Sequence, residues 1–220
     1  MDDASTLTLP KAKLKVKHIP SKRIFDLSFS LLVLTLGSPI FLAIALAVFC
    51  CSPGKVIYSH KRIGRGGKPF RCYKFRSMYP NADQRLKTLL AADPVLKKEW
   101  EEKYKLTNDP RVTPLGKFLR KTSLDELPQF WNVLKGDLSI VGPRPVVEEE
   151  ISKYFGQKAE KILSVRPGLT GLWQVFGRSD TSYGTRIMLD EKYVDTHSFK
   201  LDCLLILKTI PAMLSNRGAY

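Results

Sequence analysis

Apolar and polar positions are segregated along this chain rather than evenly mixed. Residues 31–51 (LLVLTLGSPIFLAIALAVFCC) carry no charge over 21 positions. As a helix at ~1.5 Å per residue that run is roughly 32 Å long, about one bilayer core. It is too long for the ~7–15-residue apolar core of a signal peptide, and Cys50-Cys51-Ser52-Pro53 is a poor cleavage site. Gly37-Ser38-Pro39 interrupts it. Pro39 removes a backbone donor and its ring clashes with the preceding turn. The pattern therefore predicts helices over 24–37 and 39–51, each roughly 20 Å long. Ser38 is placed to bond a freed carbonyl, and Asp26 is expected to stay at headgroup level.

Beyond the apolar run, residues 56–58 and 70–75 alternate as short strands, and Gly64-Arg65-Gly66-Gly67 between them reads as a hairpin loop. No Gly-Lys-Ser/Thr follows, so the loop is not a P-loop; it is either a plain turn or a backbone cradle for phosphate. Residues 81–104 have helical composition and are split by Pro94, with Asp93 at the second start. Residues 112–134 predict two short helices divided at Thr122-Ser123. Further helices are expected over 146–155 and 186–196. Residues 199–214 (FKLDCLLILKTIPAML) are apolar along most of their length but too short and polar to span, leaving an interfacial helix or a core helix open. The class is mostly α with a small β-hairpin.

Charge changes this picture. Lys plus Arg number 36 against 21 acids in 220 residues, a net +15. So basic a chain expects a polyanion: nucleic acid, an anionic membrane or a phosphorylated substrate. Residues 1–23 carry six Lys/Arg (Lys11, Lys13, Lys15, Lys17, Lys22, Arg23), and 52–79 carry eight and no acid. Basic flanks mark the cytoplasmic side of a membrane segment. Both flanks are basic, which favours a re-entrant helix-break-helix; a kinked span stays open on the residues alone. His18, His60 and His197 lack ligand spacing, and Cys50, Cys51, Cys72 and Cys203 form no CxxC. A histidine zinc site, a Ser-His-Asp triad and a disulfide framework are not expected.

Candidate chemistry centres on the acidic pair in Ser123-Leu124-Asp125-Glu126-Leu127-Pro128. One reading is structural: Ser123 as N-cap and Glu126 three residues on make a capping box, with Asp125 suiting the helix dipole. The other is chemical: a helix start holds an ionised carboxylate able to act as nucleophile or bind Mg²⁺, beside free N–H groups that suit phosphate. Arg120-Lys121 precede the pair, and Lys74 and Arg76 end the second strand. Arg144 lies in Gly142-Pro143-Arg144-Pro145, where flanking prolines pre-set a guanidinium for bidentate phosphate recognition. Arg166, Gln174 and Arg178 sit among glycines and aromatics.

These motifs resemble a known family. Lys22-Arg23-Ile24-Phe25-Asp26, the Ser38-Pro39 break, Tyr73-Lys74-Phe75-Arg76-Ser77-Met78, Leu119-Arg120-Lys121-Thr122-Ser123-Leu124-Asp125-Glu126-Leu127-Pro128-Gln129, Val141-Gly142-Pro143-Arg144-Pro145 and Pro167-Gly168-Leu169-Thr170-Gly171 are similar to the bacterial sugar transferases, the monotopic phosphoglycosyl transferases. The likeness covers about residues 20–220. It implies a basic arm over 1–23, a re-entrant membrane hairpin over 24–51 broken at Ser38 and Pro39, and a compact cytoplasmic α/β catalytic domain with interfacial amphipathic helices over 52–220. It also implies a monotopic protein on the cytoplasmic leaflet of the bacterial inner membrane.

The activity implied is transfer of a sugar-1-phosphate from a UDP-sugar to polyprenyl (undecaprenyl) phosphate, with Mg²⁺ and release of UMP. By the same likeness Asp125 is the nucleophile and Glu126 its dyad partner, both facing the metal. Arg120, Arg144, Lys74 and Arg76 would meet phosphate, and Arg166, Gln174 and Arg178 the nucleotide sugar. The C-terminal third resembles the galactose/glucose branch through Gly177-Arg178-Ser179-Asp180, Tyr183, Asp190-Glu191-Lys192-Tyr193-Val194 and Arg217-Gly218-Ala219-Tyr220. An N-acetylated donor stays open, as does a non-catalytic membrane scaffold. Only 23 residues precede the hairpin, so the extra N-terminal helices of larger relatives are expected to be missing. Anionic lipids are an expected partner and a homodimer is left open. A nucleic-acid partner is not expected, because no helix-turn-helix, RRM or zinc-finger pattern is present.

Overall fold

The structure is a computed structural model that describes residues 19–103, 106–177 and 181–214. In chain order the elements are α1 (Pro20–Leu36), α2 (Ser38–Cys51), β1 (Ile57–Ile63), β2 (Pro69–Phe75), α3 (Ala82–Ala92), α4 (Pro94–Lys103), α5 (Pro114–Lys121), α6 (Gln129–Lys135), β3 (Ser139–Val141), α7 (Glu148–Glu150), α8 (Ala159–Ile162), β4 (Gly168–Thr170), α9 (Leu172–Phe176), α10 (Tyr183–Thr196) and α11 (Phe199–Leu214). The mostly helical class and the small antiparallel hairpin agree with the sequence pattern. The chain forms two compact units. Among the described residues, unit 1 takes 19–38, 59–73 and 128–214, and unit 2 takes 39–58 and 74–127.

The helix pair at the start follows its sequence closely. Pro20 opens α1, where a missing N–H costs nothing. The chain bends by 62° between α1 and α2. Pro39 has no N–H for the carbonyl of Thr35, four residues earlier. The Ser38 hydroxyl takes that role, donating to the Thr35 carbonyl at 2.8 Å. No single helix among the described residues is long and apolar enough to cross a membrane. Both helices leave large apolar side chains bare: Leu31, Leu32 and Leu36 on α1, Ile40, Leu42, Leu46 and Phe49 on α2.

In unit 1, α1 turns its other face inward. Phe25 stacks on Phe29, and these rings meet Phe199 and Phe130. Asp26, expected to stand at headgroup level, is enclosed by protein groups. It is buried, accepting hydrogen bonds from the Ser139 hydroxyl at 2.8 Å and the Ile140 N–H at 3.0 Å. Lys22 donates to Asp202 at 2.6 Å and to the Val141 carbonyl at 2.9 Å, and Tyr193 also donates to Asp202. These bonds fasten α1 and α11 to β3. The parallel pairing of β3 with β4, Ser139 opposite Gly168 and Val141 opposite Thr170, was not foreseen from the sequence. It depends on backbone contact: a Cβ on Gly168 would lie 2.1 Å from the Gly142 nitrogen. Val133, Leu138, Ile140, Val141, Leu172, Tyr193 and Leu205 form one core cluster. A second gathers Ile63, Val146, Ile151, Phe155, Ile162, Leu163 and Ile187. α11 packs in the core through Asp202 and Leu205 and exposes Leu204, Leu207 and Ile210.

Unit 2 has a smaller core of Val48, Phe75 and Leu119, with Phe41, Ile44, Val56, Leu115, Leu124 and Leu127 against it. Pro94 divides α3 from α4, and the Asp93 carboxylate caps α4 by accepting from the N–H groups of Val95 at 2.8 Å and Leu96 at 3.2 Å.

Candidate active site

In unit 2 the residues after β2 carry the site. Segment 77–79 pairs with 111–113: the N–H groups of Tyr79 and Thr113 donate to the carbonyls of Arg111 and Ser77 at 2.9 and 3.0 Å. Thr113 then caps α5, its hydroxyl accepting from the Gly116 N–H at 2.9 Å, and Pro114 follows at the first helical position. α5 lies hard against the strand end. A Cβ on Gly116 would sit 1.9 Å from the Ser77 carbonyl oxygen, so only glycine fits. This places Arg120, whose Nε donates to the Ser77 hydroxyl at 2.9 Å.

The acidic pair follows, but the capping-box reading does not hold. Ser123 is in the left-handed region at φ 56° and makes no side-chain cap. Its backbone carbonyl, not its hydroxyl, receives the Glu126 N–H at 3.2 Å. The pair sits in a three-residue 3₁₀ turn, Leu124–Glu126. Residues 112–134 thus hold three pieces instead of two, and the helix-start argument for phosphate lapses, since so short a turn has little aligned dipole. Leu124 and Leu127 anchor the turn in the core. Between them Asp125 is buried, at 6% exposure, while Glu126 is more open.

Lys74, at the end of β2, bridges the two carboxylates. Its Nζ is 2.6 Å from Glu126 Oε1 and 3.5 Å from Asp125 Oδ2. Burial pushes the Asp125 carboxyl up from its ordinary range, Lys74 pulls it down, Glu126 pushes it up and Arg120 pulls it down. The expectation of a carboxylate held ionised by a helix dipole is thereby replaced. Ionisation here depends on two cations working against burial. Burial also lowers the Arg120 guanidinium, and Asp125 and Asp109 raise it. Asp109 is tied to Arg111 at 2.6 Å.

The other named residues are placed as follows. Arg76 donates to the Ser52 carbonyl just past α2, a structural tether. Arg144, Arg166 and Gln174 belong to unit 1. Arg144 lies over the Trp173 ring, 5.2 Å from its centroid. Its segment is pinned by the Gly168 N–H donating to the Pro143 carbonyl at 2.8 Å and by Arg62 donating to the Pro145 carbonyl at 3.4 Å. Arg166 donates to the Gly136 carbonyl at 2.8 Å, closing the end of α6. Arg178, most of the basic arm and 217–220 lie outside the described residues. Sequence reasoning missed Ser77 as the support of Arg120. It also missed Arg62, Glu150 and Arg186 around Arg144. For those three only the run of isolated charges gave a signal.

No group of three or more His, Cys, Asp or Glu able to hold a metal occurs among the described residues. A magnesium ion needs no such cage, because it takes one or two carboxylates with phosphate and water oxygens. Asp125 and Glu126 fit that partial role, with the Lys74 ammonium as the cation between them.

The chain matches the bacterial sugar transferase family over residues 17–216. It belongs to that family. It is 48% identical over 199 residues to the undecaprenyl-phosphate galactose phosphotransferase of Salmonella typhimurium, a match covering 90% of this chain and 41% of that protein. It is also 48% identical over 201 residues to the UDP-galactose-lipid carrier transferase of Erwinia amylovora, covering 90% of this chain and 41% of that one. The exopolysaccharide production protein ExoY of Sinorhizobium fredii is 48% identical over 200 residues, covering 91% of this chain and 88% of ExoY. The chain therefore spans about two fifths of the first two relatives and most of the third.

Proposed function

We propose that this transferase moves hexose-1-phosphate from a UDP-sugar to undecaprenyl phosphate through a phosphoryl-aspartate on Asp125, releasing UMP. The observation that supports this most is the buried Asp125 beside Glu126, both held by Lys74 in a core-anchored turn. The names of the Salmonella and Erwinia relatives support a lipid carrier and galactose, and the likeness of the C-terminal third to the galactose/glucose branch keeps glucose as the alternative.

In the first half, an Asp125 carboxylate oxygen bonds to the sugar-bearing phosphorus. The bond from that phosphorus to the bridging oxygen breaks, and UMP leaves with the oxygen and the electron pair. In the second half, a phosphate oxygen of the lipid bonds to the same phosphorus and the Asp125 carboxylate is released. One phosphoanhydride replaces another. Two steps let donor and acceptor bind in turn. Lys74 keeps Asp125 available as its anion, and Arg120, propped by Ser77, offers charge to phosphoryl oxygens. Magnesium, held by Asp125 and Glu126, would supply further positive charge against the diphosphate. The bent, apolar-faced α1–α2 pair supports a hairpin dipping into one leaflet from the cytoplasmic side.

Trapping tests the reading. Full chain incubated with UDP-galactose or UDP-glucose and Mg²⁺, without lipid, should gain one hexose-phosphate on the peptide holding Asp125, with matching UMP. Asp125→Asn should gain none and keep a similar melting temperature. An adduct elsewhere, or UMP release only when lipid is present, would falsify the covalent step.

A further inference from the structure

Unit 2 contains a buried ion pair that the transfer chemistry does not use. Asp109 and Arg111 stand two residues apart, with side chains 9% and 6% exposed. Arg111 Nε donates to Asp109 Oδ1 at 2.8 Å and to Oδ2 at 3.1 Å, and its Nη2 donates to Oδ2 at 2.6 Å. The Arg111 backbone N–H adds a bond to Oδ1 at 3.0 Å. Both carboxylate oxygens are thus covered by one residue. The Arg111 guanidinium also lies over the Trp100 ring of α4, 5.3 Å from its centroid. Taking two charges out of water is costly, and such a pair often adds no net stability over apolar side chains. An ion pair between partners two residues apart fastens no distant elements together either. Its position beside Arg120 gives it another use.

Met78 pairs with Val112 across an antiparallel bridge. Strand alternation then puts Ser77 and Tyr79 on the same face as Thr113 and Arg111. Arg120 reaches that face, where its Nε donates to the Ser77 hydroxyl at 2.9 Å. Its two terminal nitrogens make no hydrogen bond among the described residues. Burial lowers the Arg120 guanidinium, Asp125 and then Asp109 raise it, and Arg111 lowers it. Asp109 is an anion here. Burial raises its carboxyl, but the hydrogen bonds from Arg111 and the charges of Arg111 and Arg120 hold it below its ordinary value. Arg120 thus stands between two carboxylates, Asp125 of the dyad and Asp109 behind it. A carboxylate accepts a guanidinium fork as a phosphate does. Without Arg111, Asp109 would hold open lone pairs toward Arg120.

We propose that Arg111 is a positioning residue for Arg120: by occupying both oxygens of Asp109 it keeps that carboxylate from capturing Arg120, whose terminal nitrogens stay free for the phosphoryl group at Asp125. The inference rests on the role of Arg120 in the proposed reaction and names the residue that preserves it. Trp100 stacks on the first guanidinium and Ser77 tethers the second, so each arginine has its own support.

The test is transfer of hexose-phosphate from UDP-galactose or UDP-glucose to a short-chain polyprenyl phosphate in detergent, with the full chain and with rates expressed per folded molecule. Arg111→Gln leaves Asp109 uncovered. Its rate at saturating donor should fall roughly tenfold or more, the scale of a misplaced transition-state charge. Adding Asp109→Asn removes the competing anion and leaves no lone buried charge, so the paired variant should return to within about threefold of the parent. A merely structural pair gives a different pattern. Breaking it lowers the melting temperature, removing both partners restores it, and the rate per folded molecule never moves. Where Arg111→Gln does not fold, Arg111→Lys takes its place. A single ammonium meets one Asp109 oxygen and leaves the other open, so the rate should fall about threefold or more. An unchanged rate per folded molecule for the single variant overturns the proposal, as does a paired variant no faster than Arg111→Gln. Failure of the transfer reading looks different: no hexose-phosphate on Asp125 in the parent chain, whatever these rates show.

Discussion

At the scale of single residues, the dyad is an electrostatic balance whose parts can be moved in opposite directions. In the proposed reaction Asp125 must be ionised to attack phosphorus. Burial raises its carboxyl first, Lys74 lowers it and Glu126 raises it. The acid limb of adduct formation against pH reports the free enzyme's carboxyl. Lys74→Met removes a lowering influence, so the limb should move to higher pH. Lys74→Arg keeps the charge and should leave it nearly in place. Glu126→Gln removes a raising influence, so the residual rate should show a limb at lower pH. Single-turnover rates at fixed Mg²⁺ check all three, and shifts of the same sign in Lys74→Met and Glu126→Gln would sink the account. The sequence exposed the acidic pair but misassigned its support. A Ser-x-x-Glu spacing looks like a capping box, yet Ser123 at φ 56° cannot act as one. The cation that matters comes from Lys74, far along the chain, and no local spacing reveals it.

At the scale of elements, legibility followed the length of the pattern. The α1–α2 break, the β1–β2 hairpin and the α3–α4 division at Pro94 were readable because proline and glycine act locally on the backbone. The β3–β4 pair was not. Its strands are three residues each, and their pairing rests on glycines that meet across 26 or more residues of chain. The same device seats α5. Gly116→Ala would drive a methyl into the Ser77 carbonyl. Overpacking of this kind costs roughly 1–3 kcal/mol, or about 2–12 °C in melting temperature for a chain of this size. Because Ser77 also holds Arg120, transfer should fall by more than the folded fraction does, which adduct yield per folded molecule measures. The α1–α2 break makes its own prediction. With leucine at 38 and 39 the Thr35 carbonyl regains a backbone donor and the ring clash is gone, so the two helices should merge. The merged, uncharged run is about one bilayer core long. On the proposed hairpin topology, a tag at Met1 should then move from the cytoplasmic to the periplasmic side while one at Tyr220 stays. Protease protection of both tags reads this out, and an unmoved N-terminal tag would show that the break does not set the topology.

At the scale of the whole molecule, the proposed membrane hairpin gives charge and apolar surface one target. On that reading the net +15 acts at a distance, and the exposed leucines of α1, α2 and α11 act on contact. Basic residues near an anionic surface contribute about 1 kcal/mol each and are screened by salt, whereas burial of apolar side chains is not. Lys11, Lys13, Lys15 and Lys17 precede α1 in sequence and lie outside the described residues, but their charge is fixed by the sequence. Replacing all four with glutamine removes up to roughly 4 kcal/mol of attraction at low salt. Binding to anionic liposomes should weaken most at low ionic strength, and the gap between variant and parent should close as salt rises past the point where the Debye length falls to about 8 Å. Binding to neutral liposomes, driven by apolar contact, should not change. Adduct formation in detergent should also persist, because Lys74, Asp125, Glu126 and Arg120 are untouched. Co-sedimentation across a salt series, with adduct yield measured beside it, separates these terms. Loss of detergent activity would place the arm in the reaction itself, and a salt-independent defect would mean that its lysines do not act through the field of the membrane.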